Sequence, residues 1–231
     1  ALVGSSSAIA GGCTLGTYTA YYPTKLTPAG CYQAAATGAL GYLLDGAAAH
    51  GVKVHIAPVM PHTPFAWPPS QKTQPNKTVA QYFDQLTSLQ AAAFADVWDA
   101  FPQHHDTIVG VYSSLEQWNG PGWMSDTVAA PMAAHYFEPL TQQVRARTGV
   151  DTLEVWASPY YVGNATLHPT ARSPADYAAF WGRLWAGAPS FGWIALQDAM
   201  GWQGNSFAEV AAALGPLQTA AATAGRPLWS N

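Results

Sequence analysis

The sequence predicts an α/β fold of the (β/α)8 barrel type, a TIM barrel, with about six recognisable strand–helix units and therefore an incomplete barrel. Two observations predict this fold. Short apolar segments alternate with longer segments of helical periodicity, which is typical of a parallel sheet flanked by helices. Polar and aromatic residues gather at the carboxyl ends of the strands, where barrels carry their active sites. We expect one domain over residues 1–231.

The first half of the chain contains two predicted helices and two predicted strands. Residues 38–50 are expected to form a helix, and residues 52–60 the buried strand that follows it. A loop rich in proline, 61–75, separates this strand from a long helix over 78–101. In that helix, apolar residues recur at the spacing of one helical face. The next strand covers 107–114.

The second half continues the same alternation. Its predicted elements are a helix over 126–147, a strand over 153–161, a helix over 173–186, a strand over 192–198, a helix over 206–224 and a strand over 227–231. Ser173 resembles an N-cap, because Pro174 follows it at the first helical position. No glycine-rich phosphate fingerprint follows any strand, which argues against a dinucleotide-binding sheet.

The composition restricts the class of function. Only 10% of the residues are charged, 13% are aromatic and 49% are hydrophobic. Disordered chains have few aromatic residues and high net charge, so this chain is expected to fold. Its nine basic residues are scattered, so we expect no nucleic-acid partner. No apolar run approaches the roughly 18 residues of a membrane span. We expect a monomer that binds carbohydrate.

Cysteines and glycosylation motifs indicate the compartment. Cys13 and Cys31 lie close together in the sequence and are expected to form a disulfide, which indicates an oxidising compartment. The alternative is two unpaired thiols in a cytosolic protein. Asn76 and Asn164 each begin an Asn-X-Thr triplet and are candidate glycosylation sites. We therefore expect an extracellular, secreted glycoprotein, whose leader is not in this sequence.

Two carboxylates are the candidate catalytic residues. Glu116 ends its strand, and Trp118 and Trp123 follow it. Aromatic walls desolvate a carboxyl group and raise its pKa towards that of a general acid. Asp198 ends another strand, after Gln197. Hydrolysis of a glycosidic bond needs two carboxyl groups across the scissile bond. The plainer alternatives are that Glu116 pairs with an arginine or caps a backbone group, and that Asp198 caps the next turn.

Aromatic and polar residues near the strand ends are the candidate substrate-binding residues. An aromatic ring with a polar tip suits stacking on a sugar. The candidates are Tyr112, Trp118, Asn119, Trp123, Tyr160, Tyr161, Gln197, Trp202, His62 and Trp67. No HxxxH or CxxC spacing occurs, so no metal is predicted. Carboxylate-based hydrolysis needs no cofactor, and none is expected.

Five short motifs occur in an order that resembles a known family. They are residues 19–24, residues 108–112 followed by Glu116, residues 158–160, residues 195–198 and residues 228–231. The ordered set resembles a domain-of-unknown-function family of TIM-barrel proteins regarded as glycoside hydrolases. The resemblance implies a barrel fold, a carbohydrate substrate and an acid/base role for Glu116 after the fourth strand. In that family the last motif continues to a Glu, whereas this chain ends at Asn231. The motifs therefore predict a barrel truncated at both ends.

Three functions follow from these observations. The leading one is a secreted glycoside hydrolase that acts on a polysaccharide or glycan, with Glu116 as general acid/base and Asp198 as the second carboxylate. The alternative is a non-catalytic carbohydrate-binding barrel, favoured by the missing carboxylate after Asn231. A third is a scaffold module of a cell-surface assembly.

Overall fold

A computed structural model describes residues 2–4, 18–22, 24–25, 32–34, 38–60, 78–200 and 204–230. The strands are β1 (Leu2–Gly4), β2 (Tyr18–Ala20), β3 (Tyr32–Ala34), β4 (Val54–Ile56), β5 (Val59–Met60), β6 (Ile108–Ser113), β7 (Glu154–Ala157), β8 (Trp193–Leu196) and β9 (Leu228–Ser230). The helices are α1 (Ala39–Ala49), α2 (Val79–Ala100), α3 (Asp126–Met132), α4 (Glu138–Thr148), α5 (Pro174–Gly187) and α6 (Phe207–Thr223). A 3-10 turn (Pro102–His104) precedes β6, and a π-helical turn (Ala133–Phe137) joins α3 to α4.

The main sheet of the described residues has five parallel strands in the order β4-β6-β7-β8-β9. Each strand therefore lies beside the next main-sheet strand along the chain, and helices form the connections. The predicted α/β class with a parallel sheet is confirmed. Because parallel strands all end at the same edge, the residues that follow β6, β7 and β8 lie together at the carboxyl edge of the sheet.

A second sheet has the order β3-β2-β1-β5, and β1 pairs in parallel with β5. The sequence predicted one strand over 52–60, but the structure divides it into β4 and β5, which belong to different sheets. The reason is Pro58, which lies between the two strands and has no N–H to give to a ladder. The single predicted strand is therefore wrong at this point.

The predicted helix over 126–147 is also interrupted. It forms α3, the π-helical turn and α4 in succession. Pro139 has no N–H, so the carbonyl of His135 lacks its usual helical donor. The hydroxyl of Thr87 on α2 donates to that carbonyl instead, at 2.7 Å. A proline and a neighbouring helix together account for the widened turn.

The main sheet is strongly curved. His55 of β4 has ring-centroid distances of 5.7 Å to Trp156 of β7 and 5.9 Å to Trp193 of β8. In a flat sheet β4 and β8 would be three strand spacings apart, about 14 Å. Gly110 lies opposite His55 on the intervening strand and places no side chain between them. The sheet therefore curls as in a barrel, although the described residues do not show it closing.

The helices cover the convex face of the sheet and form the core with it. Completely buried aromatic side chains include Phe83 and Phe94 from α2 and Trp181 from α5. The helix bounds follow local signals in the sequence. Thr78 and Gln81 form a capping box at the start of α2, and Ser173 accepts a bond from the Asp176 amide at the start of α5. No helix in the described part of the chain is long and apolar enough to span a bilayer.

Candidate functional site

The loops after β6, β7 and β8 stay paired beyond the ends of the strands. Trp118 forms an isolated parallel bridge with Tyr160, and Tyr160 forms another with Gln197. The Tyr160 amide donates to the carbonyl of Gln117 (2.9 Å), and the Gln197 amide donates to that of Pro159 (2.8 Å). Three of the predicted substrate-binding residues, Trp118, Tyr160 and Gln197, therefore lie side by side at the carboxyl edge of the sheet.

Glu116 is exposed at this edge. Burial, and secondarily the negative charge of Glu116, raises the pKa of Tyr160 to about 12. The same two causes raise the pKa of Tyr112, and a hydrogen bond with the Ser158 side chain opposes them. Both phenols are therefore protonated at neutral pH and within electrostatic reach of the carboxylate. The burial of Glu116 expected from its tryptophan neighbours is not found.

Aromatic rings form a cluster next to Glu116. The rings of Trp118 and Tyr160 are parallel within 1°, with centroids 6.2 Å apart. The ring of His168 meets Trp118 edge-on at 5.5 Å. His168 was missed in the sequence, because it lies in a loop without a motif. The only available signal was its place in the connection that follows β7.

Asp198 is half-buried and takes part in a turn. Its Oδ1 accepts a hydrogen bond from the amide of Met200 at 3.0 Å, so the turn-capping alternative is present in the structure. Ala199 between them has a φ of 53°, in the left-handed region that favours glycine. Strained backbone of this kind tends to occur at functional sites. The side chain of the preceding Gln197 donates to the carbonyl of Ser158 at 2.6 Å.

Four predicted substrate-binding residues are buried. Trp123 and Asn119 are completely covered, Tyr161 is 5% exposed and Tyr160 is 6% exposed. Trp123 belongs to the hydrophobic core, so neither face of its ring is open to a sugar. Asn119 uses its amide group to bind the backbone of the neighbouring loop. These side chains support the edge of the sheet from inside, whereas Trp118 is half-buried and Glu116 is exposed.

A buried polar network holds the end of β6. The Tyr136 hydroxyl donates to Gln90 Oε1 at 2.8 Å and lies 2.9 Å from Ser113 Oγ. Gln90 Nε2 in turn donates to Ser114 Oγ at 2.9 Å. Tyr136 lies in the π-helical turn, so the widened turn carries a residue that anchors the strand leading to Glu116. Burial strongly raises the pKa of Tyr136, which keeps its hydroxyl protonated as a donor.

The remaining predicted residues are placed elsewhere or lie outside the described residues. Outside them are His62, Trp67, Asn76, Trp202, Cys13, Cys31 and Asn231. Asn164 is partly exposed, and its Oδ1 accepts from the amides of Thr166 (3.1 Å) and Leu167 (3.2 Å). Among the described residues, no group of His, Cys, Asp and Glu side chains has the arrangement of a metal site.

Comparison with known proteins gives a structural likeness. No family model matches the chain, and no curated protein matches it. The fold is similar to a crystal structure from Bacteroides thetaiotaomicron described as a "putative alpha-L-fucosidase", with a TM-score of 0.65 and 17% identity. The match covers 91% of this chain and 57% of that one, so this chain spans little more than half of the other's length. At this identity the likeness shows the barrel-like α/β fold alone.

Proposed function

We propose that this chain is a (β/α)8-type barrel domain of a glycoside hydrolase that acts on a glycan, with Glu116 as general acid/base. The observation that carries the proposal is the position of Glu116, exposed at the carboxyl edge of the parallel sheet beside two phenols and the Trp118–Tyr160 ring pair. The fold likeness to a protein described as a fucosidase supports the same class of substrate.

The chemistry follows from the groups at this edge. A sugar ring would pack against the open part of Trp118, because the faces of aromatic rings suit the apolar face of a sugar. Glu116 in its acid form would donate a proton to the departing glycosidic oxygen. Asp198 would act as nucleophile if the carboxyl groups lie about 5–5.5 Å apart during the reaction, or would activate water at about 6.5–9.5 Å.

The test is hydrolysis of a panel of aryl glycosides and oligosaccharides that includes fucosides. Glu116→Gln should lower kcat about 10²–10⁴-fold, because it removes the proton donor and leaves the shape of the site unchanged. Glu154→Gln is the matched control, since Glu154 lies at the amino edge of the sheet. Equal rates for wild type and Glu116→Gln on a responsive glycan would show that Glu116 is not the acid.

The second candidate is a non-catalytic carbohydrate-binding barrel. It is favoured by Asp198, whose Oδ1 already accepts the Met200 amide and so serves the turn. Binding on a glycan array without release of reducing ends would identify this function. Binding that Trp118→Ala removes and Glu116→Gln retains would support it further.

We also propose that the protein is a secreted monomer with a Cys13–Cys31 disulfide and glycans on Asn76 and Asn164. Asn164 supports this because it lies in a partly exposed loop segment. Mass spectrometry of protein secreted from a glycosylating host, with and without reductant and with and without enzymatic deglycosylation, tests each modification. Light scattering tests the monomer. An unmodified Asn164 and two thiols that react freely without reductant would contradict the proposal.

A further inference from the structure

Two buried asparagines join the loops that carry the candidate site. Asn119 follows β6 and is completely buried. Its Nδ2 donates to the carbonyls of Val162 (2.9 Å) and Arg172 (2.8 Å). Its Oδ1 accepts from the Val162 amide at 2.8 Å. The Arg172 amide also donates to the Asn119 carbonyl at 2.7 Å. Asn119 thus fixes the loop between β7 and α5 at two points, Val162 and Arg172, to the segment that follows β6.

Asn205 also binds the loop after β7, from the segment that precedes α6. It lies just before α6 and is 6% exposed. Its Oδ1 accepts from the Gly163 amide at 2.8 Å. Its Nδ2 donates to the carbonyls of Tyr161 (2.6 Å) and Asp198 (2.7 Å). Asn205 therefore ties the loop after β7 to the turn after β8 that contains Asp198.

The two asparagines act on consecutive residues. The amide of Val162 is held by Asn119 and that of Gly163 by Asn205, from opposite sides. Each carboxamide donates both of its hydrogens to backbone carbonyls and accepts one backbone amide with its oxygen. An asparagine side chain can make all three of these bonds. An aspartate would keep the acceptor and lose both donors. Buried polar networks with every member satisfied are rigid.

We infer that Asn119 and Asn205 are positioning residues that fix Trp118, Tyr160 and Asp198 relative to Glu116. The consequence for catalysis rests on the proposed function, whereas the mechanical role does not. Loops of this kind are usually the mobile part of a barrel. Here they form one unit, because a single segment is clamped on both sides. The bond from Asn205 to the Asp198 carbonyl also holds the backbone next to the left-handed Ala199.

Amide hydrogen exchange tests the mechanical role without a substrate. In Asn205→Ala, amides of residues 159–168 and 197–200 should exchange at least about tenfold faster, because loss of the clamp lowers the free energy of local opening. In Asn119→Ala, the same should hold for residues 159–172. Strands β6 to β8 should exchange as in the wild type. If the alanine variants do not fold, Asn119→Asp and Asn205→Asp provide the same comparison with one contact retained.

Two control variants separate a clamp from a general loss of stability. Ser88→Ala removes an exposed hydrogen bond on α2, from Ser88 Oγ to the Asp84 carbonyl, and should leave exchange in the loops unchanged. Thr141→Val removes a buried hydrogen bond on α4, from Thr141 Oγ1 to the Phe137 carbonyl. Faster exchange confined to the single amide that loses its partner would overturn the inference. Faster exchange throughout the loops in Thr141→Val would overturn it too.

Kinetics test the positioning of the catalytic groups. On a glycan that the wild type hydrolyses, Asn205→Ala should lower kcat about 10²-fold with little change in KM. A displacement of the reacting groups by about 1 Å is enough to cause a loss of this size. Thr141→Val should leave kcat unchanged. An unchanged kcat in a variant with loosened loops would overturn the positioning role. A wild type that neither binds nor cleaves any glycan would remove the proposed function, and the exchange data would then decide the clamp alone.

Discussion

The two edges of the parallel sheet are built differently. At the amino edge, Glu154 accepts a hydrogen bond from the Trp193 indole at 2.9 Å and lies 3.8 Å from His55 Nε2. At the carboxyl edge, Glu116 is exposed and the surrounding loops are clamped by buried amides. The amino edge uses its carboxylate to join strands. The carboxyl edge fixes its backbone and leaves its carboxylate open to solvent, where a substrate can reach it.

The largest effect is expected at Gly110, which lies opposite Glu154 near the amino edge of the sheet. A Cβ at this position would lie 2.1 Å from the backbone oxygen of Glu154. Gly110→Ala should therefore lower the free energy of unfolding by about 3 kcal/mol, since backbone must move. Chemical denaturation measures the change.

The matched control is Gly46→Ala on α1, where nothing lies within 4 Å of an added Cβ. It should be neutral or stabilising by about 0.5–1 kcal/mol, because alanine is the better helix former. Equal effects of the two substitutions would mean that the close approach at Gly110 does not constrain the sheet.

The next effect concerns the network under the carboxyl edge. Tyr136→Phe leaves Gln90 Oε1 and Ser113 Oγ without the tyrosine hydroxyl and should destabilise the fold by about 1–3 kcal/mol. Urea denaturation gives the change, with the exposed Tyr42→Phe as the control. A loss as small as that of Tyr42→Phe would show that the network does not anchor the end of β6.

A smaller effect is expected from pH at the amino edge. Burial lowers the pKa of His55, and the charge of Glu154 only partly opposes it. Near pH 6 the unfolded chain therefore binds more protons at this residue than the folded chain. Stability from His55 is present above its unfolded pKa of about 6.5 and is lost as the pH falls towards the folded value.

Denaturation between pH 5 and 7.5, over the range flanking the ordinary histidine pKa of about 6.5, measures this dependence. The fall in stability should flatten in His55→Gln and persist in His50→Gln, which changes an exposed histidine. The contribution is at most about 1.4 kcal/mol for each unit between the two pKa values. A steeper loss in His55→Gln would contradict the sign of the shift.

The smallest effect on stability is expected for Glu154→Gln, because the new amide oxygen can still accept a hydrogen bond from the Trp193 indole. The free energy of unfolding should change by less than about 1 kcal/mol, as for other exposed pairs. Cleavage of a responsive glycan should stay at the wild-type rate. A loss of activity equal to that of Glu116→Gln would remove the distinction between the two edges.

Sequence patterns predicted the helices and strands well, but they did not predict which site residues are buried. A long run of apolar residues at helical spacing and a capping residue predicted a helix over 78–101, and each end lies within one residue of the observed Val79–Ala100. Pro58 broke a strand that hydrophobicity alone would have continued. Nothing in the sequence tells which way a loop residue points, so Asn119 and Trp123 were taken for surface groups although both are buried. Their roles depend on contacts with loops that are distant in sequence.

The widened turn between α3 and α4 has a consequence for helical phase. Buried residues recur every four positions, at Val128, Met132, Tyr136, Leu140 and Val144. In a regular helix of about 3.6 residues per turn, such a stripe would rotate by about 40° with each repeat and leave the sheet. The under-wound turn accommodates one extra residue and so offsets about 100° of the roughly 160° that accumulate over the four repeats. Deleting one residue there would regularise the winding and rotate α4 by about 100°, which would turn Leu140 and Val144 towards solvent.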